Sequence, residues 1–491
     1  MKKLSFVIVL MISFSIGIFA QNVDDALRYS QLFYGGTSRF MSMGGAFTAI
    51  GGDISTLSQN PAGIGLFRSS EITLTPQLAN IRTDAKFYGL SKDHLYNFNL
   101  NQAGIVSNLI SNESGLISLN FGYSFNKTNN LNQSIRIQGF NTNSSMADYW
   151  AESNDGTYYS NLLDDPGIAF DAWVIDTLTG SGGYSYGTVY SNYGDNPPSV
   201  YGQNMRRLIT NEGYTGEHAL SIGGNYNNKV YFGATLGISK LDYTSHYEHL
   251  ESTDANLLSG FKNFVFTDHY ENTGTGYTIK LGAIIKPVEM LRIGIAFHSP
   301  TWYRINEYFT QSISSNLASE VFRVDPQRFE YKLATPFRFL AGAALQIGKM
   351  GLVSADYEFA DYSTAKFSNS GDSFDYSGKN QEIKDILKAA HNIRVGGELR
   401  LNKVYFRGGF GYYGKAFQSG EDNANLDYTS LSAGIGIREQ KVSIDLGFTS
   451  YMYDQNYILY PLDTNYYDPA TAGLSTRRNL FSLTLGYKFG Y

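Results

Sequence analysis

The chain has 491 residues, 38 of them Tyr, 32 Phe and 51 Gly, with only 17% charged side chains, no cysteine and a net charge of −6. So many aromatics exclude a disordered chain. A mean hydropathy of −0.24 is too polar for a bundle of membrane helices, each of which needs ~20 apolar residues. A chain that is aromatic, glycine-rich and charge-poor without being hydrophobic is what alternating strands give, so the expected class is all-β, a transmembrane barrel.

Residues 1–20 read as a secretory signal: Lys2 and Lys3 form the basic start, Leu4 to Phe19 the apolar stretch, and Ala20 precedes the cleavage point at Gln21. Removing the two lysines takes the net charge from −6 to −8, and no basic patch or arm suggests nucleic acid. The absence of cysteine removes disulfides, thiolate nucleophiles and Cys-ligated zinc, and suits a chain that crosses an oxidising compartment.

Residues 21–68 precede the first strand and carry Met43-Gly44-Gly45-Ala46, Gly51-Gly52-Asp53 and Asn60-Pro61-Ala62-Gly63. A phosphate-binding reading of the glycines fails, because no βαβ unit flanks them and no Lys-Ser/Thr follows. The spacing predicts a compact plug, or hatch: Gly permits close packing against a wall, Pro61 fixes a turn, and the Asn60 side chain caps the backbone beside it.

From residue 69 one unit repeats: an alternating run, a very short turn, a second run, a long loop. The last strand is the clearest, with Phe481, Leu483, Leu485, Tyr487, Phe489 and Tyr491 on one face and Ser482, Thr484, Gly486, Lys488 and Gly490 on the other. Tight turns fall near Asn227-Asn228, Pro287-Val288, Gly348-Lys349, Asn402 and Glu439-Gln440, with long polar connections at 249–270, 311–325, 368–389, 415–425 and 455–476. If both termini lie on one side the strand number is even. Reading 115–140 as one strand with a break near Thr128, Asn129 and Asn130 gives fourteen: 69–80, 95–109, 115–140, 216–226, 229–248, 271–286, 289–310, 326–347, 350–367, 390–401, 403–414, 426–438, 440–454 and 477–491. The barrel thus spans 69–491, interrupted by an insertion at 141–215. Its Tyr149, Trp150, Phe170 and Trp173 cannot float in water: the insertion should fold as short helices over the barrel mouth or present an apolar surface, and these four are candidates for contact with an apolar ligand.

Alternation places Arg292, Arg338, Asp356, Glu358, Arg394, Glu398 and Arg407 inside the barrel, with Lys280, Arg400, Arg438 and Asp445. Charges of both signs in a plugged lumen should pair across it. Such a network holds the hatch, or one Arg or Lys of it anchors a substrate carboxylate. His246 and His249 fall on opposite faces of a strand, against a metal site. No cofactor motif is present, and no His and acid are placed to activate a particular Ser, against an enzyme.

The run from Tyr29-Ser30-Gln31 through Gly36-Thr37-Ser38-Arg39, Met43-Gly44-Gly45-Ala46 and Gly52-Asp53 to Asn60-Pro61-Ala62-Gly63 resembles the N-terminal hatch of the FadL family. So do Thr335-Pro336, Ala355-Asp356-Tyr357, Val395-Gly396-Gly397-Glu398-Leu399 and Phe406-Arg407-Gly408-Gly409 downstream, so the similarity covers essentially the whole mature chain. The resemblance implies a fourteen-stranded barrel of the Gram-negative outer membrane, a hatch inside it and a kinked third strand. It implies passive transport of long-chain fatty acids or other hydrophobic compounds, captured at external loops, held in the lumen and released sideways. The partners would be that small molecule, outer-membrane lipid and, during biogenesis, the barrel-assembly machinery. A surface adhesin or receptor, or a general porin, on the same barrel is the alternative.

Overall fold

The computed structural model describes residues 22–191, 200–257, 259–371, 374–462 and 470–490; the expected signal segment and Tyr491 lie outside them. Fourteen antiparallel staves close into one barrel. They are β1 (Ser70–Lys86), β2 (Leu90–Ser111), β3 (Leu116–Asn130 and Gln133–Asn141), β4 (Gln203–Tyr226), β5 (Val230–Ser252), β6 (Asn263–Val288) and β7 (Leu291–His298 and Trp302–Ser315). Then come β8 (Gln327–Ala334 and Arg338–Ile347), β9 (Gly351–Asp361 and Lys366–Asn369), β10 (Ala389–Leu401), β11 (Val404–Tyr413), β12 (Tyr428–Arg438), β13 (Val442–Ile458) and β14 (Thr471–Phe489). The seam is β1 on β14, running from Ser70 opposite Phe489 to Lys86 opposite Gly473. Closure pairs the staves around the ring, the condition for strands in lipid, except at one interruption between β2 and β3. No helix among the described residues is long and apolar enough to cross a membrane.

The expected alternation is present. Ile293, Ile295 and Phe297 are exposed while Gly294, Ala296 and His298 between them are covered. Phe481, Leu485 and Tyr487 face out in the same way. At one end the turns are tight; Asn227 and Asn228, both with positive φ (51° and 56°), lie in the three-residue connection between the paired Tyr226 and Val230.

At the other end several staves run well past their expected limits. β4 begins at Gln203 rather than 216, β6 at Asn263 rather than 271, and β14 at Thr471 rather than 477, so the insertion shortens to 142–202. The reason is visible in β5. As far as Leu236 its outward positions are apolar, but Lys240 and Asp242 point out while Leu241 and Tyr243 point in. Above the apolar belt the polarity of the two faces inverts. A search for apolar-out strands ends there, although the ladder continues.

The lumen is filled by residues 22–69. Asn22 caps α1 (Val23–Ser30) and Thr37 caps α2 (Ser38–Ser42), while Asp53 and Asn60 cap the 3-10 turns Ile54–Ser58 and Pro61–Leu66. Pro61 stands first in its turn, where its missing N–H costs nothing. Each element is too short to persist alone. The wall supplies the packing, and nearly every residue from 34 to 65 is buried. Over the long-loop end, α3 (Met146–Ser153), α4 (Asp164–Asp171) and a small hairpin (Ile175–Thr177 with Tyr186–Thr188) form a cap. Loop 368–389 is not purely polar connection: α5 (Ser377–Ile386) turns Ile383 inward toward the cluster that contains α1.

Candidate functional site

The Asn60-Pro61-Ala62-Gly63 motif sits at the foot of the hatch. Asn60 Oδ1 accepts from Ala62 N at 3.1 Å, and Asn60 Nδ2 donates to Thr48 O at 2.6 Å. The wall fits this turn closely: a Cβ on Gly282 of β6 would run into Asn60 Oδ1, and one on Gly233 of β5 into the Pro61 carbonyl. The same fit recurs at Gly44, whose φ of +63° lets its backbone lie against Gly409 and Phe410 of β11.

The charged lumen residues form two buried clusters, and both reach the hatch. In one, Glu358 of β9 takes Arg338 NH1 at 2.5 Å on one oxygen and Arg394 NH1 at 2.9 Å on the other. Arg338 also donates to the Ser30 carbonyl, and the Arg394 guanidinium lies 5.2 Å from the Tyr34 ring centroid. In the other, Glu398 of β10 lies 3.0 Å from Arg39 Nε and 2.6 Å from Arg407 Nε, and Arg407 NH1 lies 2.6 Å from Asp445. Asp356 Oδ2 accepts from Thr48 N at 2.8 Å and Arg292 NH1 donates to Ile50 O at 2.7 Å. Lys280, paired with Glu217, donates to Ser58 O at 2.7 Å. All seven candidate lumen residues are therefore drawn together around the hatch, and four of them, Arg292, Arg338, Asp356 and Glu398, bond it directly. Arg400 is exposed beside the Asn402 turn.

The four aromatics of the insertion do not meet in the lumen. Trp150 is fully buried within the cap between Phe264 and Phe266, its Nε1 donating to Asp165 Oδ2 at 2.8 Å. Tyr149 and Phe170 pack on the edge of the same cluster, and Trp173 is 53% exposed. None lines the cavity below; Tyr149, Trp150 and Phe170 hold the cap together instead. Burial pushes the carboxyls of Asp148 and Asp165 in this cap up to about 7.

Beneath the cap and above α1 lies a cavity of about 420 Å³. Its wall is amphipathic. Tyr243, Tyr247, Tyr270 and Tyr453 stand beside Leu131, Phe309 and Leu426, with Arg28 and Arg478 at its edge. Sequence reasoning placed none of these. The signal was the inversion of polarity above the belt, where an inward Tyr243 between outward Asp242 and inter-strand polar neighbours marks a lumen that has become apolar.

The cavity abuts a fault in the wall. β2 pairs with β1 from Leu90 to Val106, but its ladder with β3 covers only Gln102–Ser111. After Leu131 and Asn132 the second half of β3 pairs with β4 alone and leans inward, so that Gln133 reaches Thr83 of β1 and Thr476 of β14. Among the described residues, Leu90–Asn101 of β2 thus have no backbone partner on the β3 side; a Ser134 Oγ–Asp93 Oδ2 hydrogen bond of 2.8 Å bridges the space. The break lies two to three residues beyond its expected place near Thr128–Asn130. Among the described residues no group of three His, Asp or Glu side chains could hold a metal ion.

A closed barrel of fourteen staves, a hatch pinned inside it, and a faulted third strand beside a luminal cavity make up a fold that this chain shares with solved structures of a FadL homologue and of toluene transporters. Among solved structures, the chain is similar to a Pseudomonas aeruginosa FadL homologue at 13% identity, covering 94% of this chain and 100% of that one with a TM-score of 0.55. It is similar to the Pseudomonas putida toluene transporter TodX at 12% identity (94% and 100% covered, TM-score 0.55). It is also similar to the Ralstonia pickettii toluene transporter TbuX at 15% (93% and 99%, TM-score 0.51). No family model matches the chain, and no curated protein matches it.

Proposed function

We propose that the protein is a passive outer-membrane channel for hydrophobic small molecules, with long-chain fatty acids as the expected substrates. The tight-turn end faces the periplasm and the capped end the exterior. A ligand enters beside the cap, rests in the cavity over α1 and leaves sideways through the fault between β2 and β3 into the membrane. The observation that carries this reading is the position of the fault: the cavity is lined by Asn129, Leu131 and Gln133, the residues at the strand break itself. An apolar solute so placed reaches lipid without crossing the hatch and without meeting bulk water, the step that hydrophobic transfer makes costly. The resemblance of the fold to hydrocarbon and FadL-type channels supports the same substrate class.

The chain has no cysteine, so a disulfide can be placed at will. Asp93 and Ser134 touch across the fault. The double variant Asp93→Cys with Ser134→Cys should block uptake of a radiolabelled fatty acid when oxidised and recover it with reductant. Full uptake through the oxidised, verified staple would overturn the lateral route.

A further inference from the structure

One cation at the fault belongs to neither ion-pair cluster. Along the first half of β3, Phe121 and Tyr123 face outward (43% and 37% exposed), and Lys127 continues the same alternation. A lysine in the lipid-facing phase is unfavourable unless something polar meets it. Here Lys127 is only 6% exposed, because β2 has left the ladder and β3 is about to turn inward. Its Nζ lies 5.4 Å from the Tyr214 ring centroid, and no carboxylate of the described residues is in ion-pair range.

Two further donors stand nearby. Arg478 of β14 gives NH1 to the Asn130 carbonyl at 2.7 Å and NH2 to Tyr453 OH at 3.2 Å. Its Nε is buried with no hydrogen-bond partner among the described residues, and so is Asn130 Nδ2. Lys127, Asn130 and Arg478 line one small cavity of about 30 Å³, which shares Phe33, Asn129 and Arg478 with the large one. That volume admits a group the size of a few polar atoms and not the body of a ligand. An unpaired ammonium, a free guanidinium N–H and a carboxamide N–H thus surround a small space with no acid in it. Buried donors of this kind are ordinarily satisfied.

We propose that the break in the third strand is an anion-binding step, at which Lys127 and Arg478 hold the carboxylate head of a single-chain acid while its tail lies between the cavity and the lipid. The proposal rests on the transport reading and sharpens it, because it selects acids over neutral hydrocarbons. Neither residue belongs to the hatch clamp, so their charge can be removed without releasing the hatch.

The test uses full-length protein in amphipol and a fluorescent C18 polyene acid beside its methyl ester, with energy transfer from tryptophan as the readout. Wild type should bind the acid at least tenfold more tightly than the ester, the worth of one hydrogen bond to a charged group. Lys127→Met should weaken the acid about tenfold and leave the ester unchanged; Arg478→Gln should act in the same direction, and Lys127→Arg should restore acid binding. Equal affinities for acid and ester in wild type, or equal losses of both in Lys127→Met, would overturn the proposal while leaving transport standing. Binding of neither would overturn both.

Discussion

Glu398, on a barrel strand, and Arg39, in the hatch, meet through two hydrogen bonds, Nε to Oε2 at 3.0 Å and NH2 to Oε1 at 3.3 Å. Glu398 also takes Arg407 Nε at 2.6 Å, so a single buried carboxylate bridges one guanidinium from the plug and one from the wall. Glu398→Ala should therefore leave two guanidinium groups short of a partner. Removing one member of a buried ion pair typically costs about 3–5 kcal/mol. We expect faster hydrogen exchange and protease cutting within 22–68, with the heat-modifiable gel shift of the intact barrel retained. Unchanged protection of the hatch would refute the clamp.

The Asn60 turn can be attacked from either side. Asn60→Ala removes a cap and the bond to Thr48 O, at a cost of about 1–2 kcal/mol. Gly282→Ala leaves the motif untouched but places a methyl group against Asn60 Oδ1. Both variants should impair uptake while preserving barrel migration on gels. A normal uptake rate in both would make the motif structural only.

The cap should loosen as the pH rises. Burial holds Asp148 and Asp165 at about 7, against an ordinary value of 3.8. Between about pH 4 and pH 7 an opened cap releases protons that the closed cap keeps, so closure is favoured at acid pH, weakens through that window and levels off above it. Limited proteolysis within 142–202 should accordingly be slower at pH 5 than at pH 8. Asp165→Asn, which keeps an acceptor for Trp150 Nε1, should flatten the dependence; a profile as steep as wild type would discount this carboxyl.

A pinned hatch also separates this barrel from an open porin. In planar bilayers the protein should show no large, stable conductance. Sustained nanosiemens-scale openings in unmodified protein would contradict a filled lumen.

The barrel was legible because lipid imposes a period of two, and Ile293 or Leu485 must point outward wherever a stave crosses the apolar belt. Stave number and the existence of a break in β3 followed from that pattern and from the even count that termini on one side require. The same rule failed above the belt. At Lys240 and Asp242 water replaces lipid outside, the faces exchange polarity, and the staves β4, β6 and β14 outrun their expected ends. The hatch clamp was readable as a set of charges, because Arg338, Glu358, Arg394 and Glu398 occupy inward positions, but pairing among them needs three-dimensional proximity across β8 to β11. Trp150 shows the opposite limit. An apolar run beside a polar loop announces burial without saying whether its partner is a ligand or Phe264 and Phe266. Lys127 was hidden for another reason: its phase reads as lipid-facing, and only the inward turn of β3 moves it into a cavity.

Thr484 of β14 accepts the Ser38 backbone N–H at 2.6 Å and shares a 2.8 Å hydrogen bond with Thr75 of β1. One hydroxyl therefore ties the joint that makes the wall continuous to the segment that keeps the pore filled. Watertightness and mechanical integrity are coupled at this point: a strain that opens the seam there also pulls on the stopper.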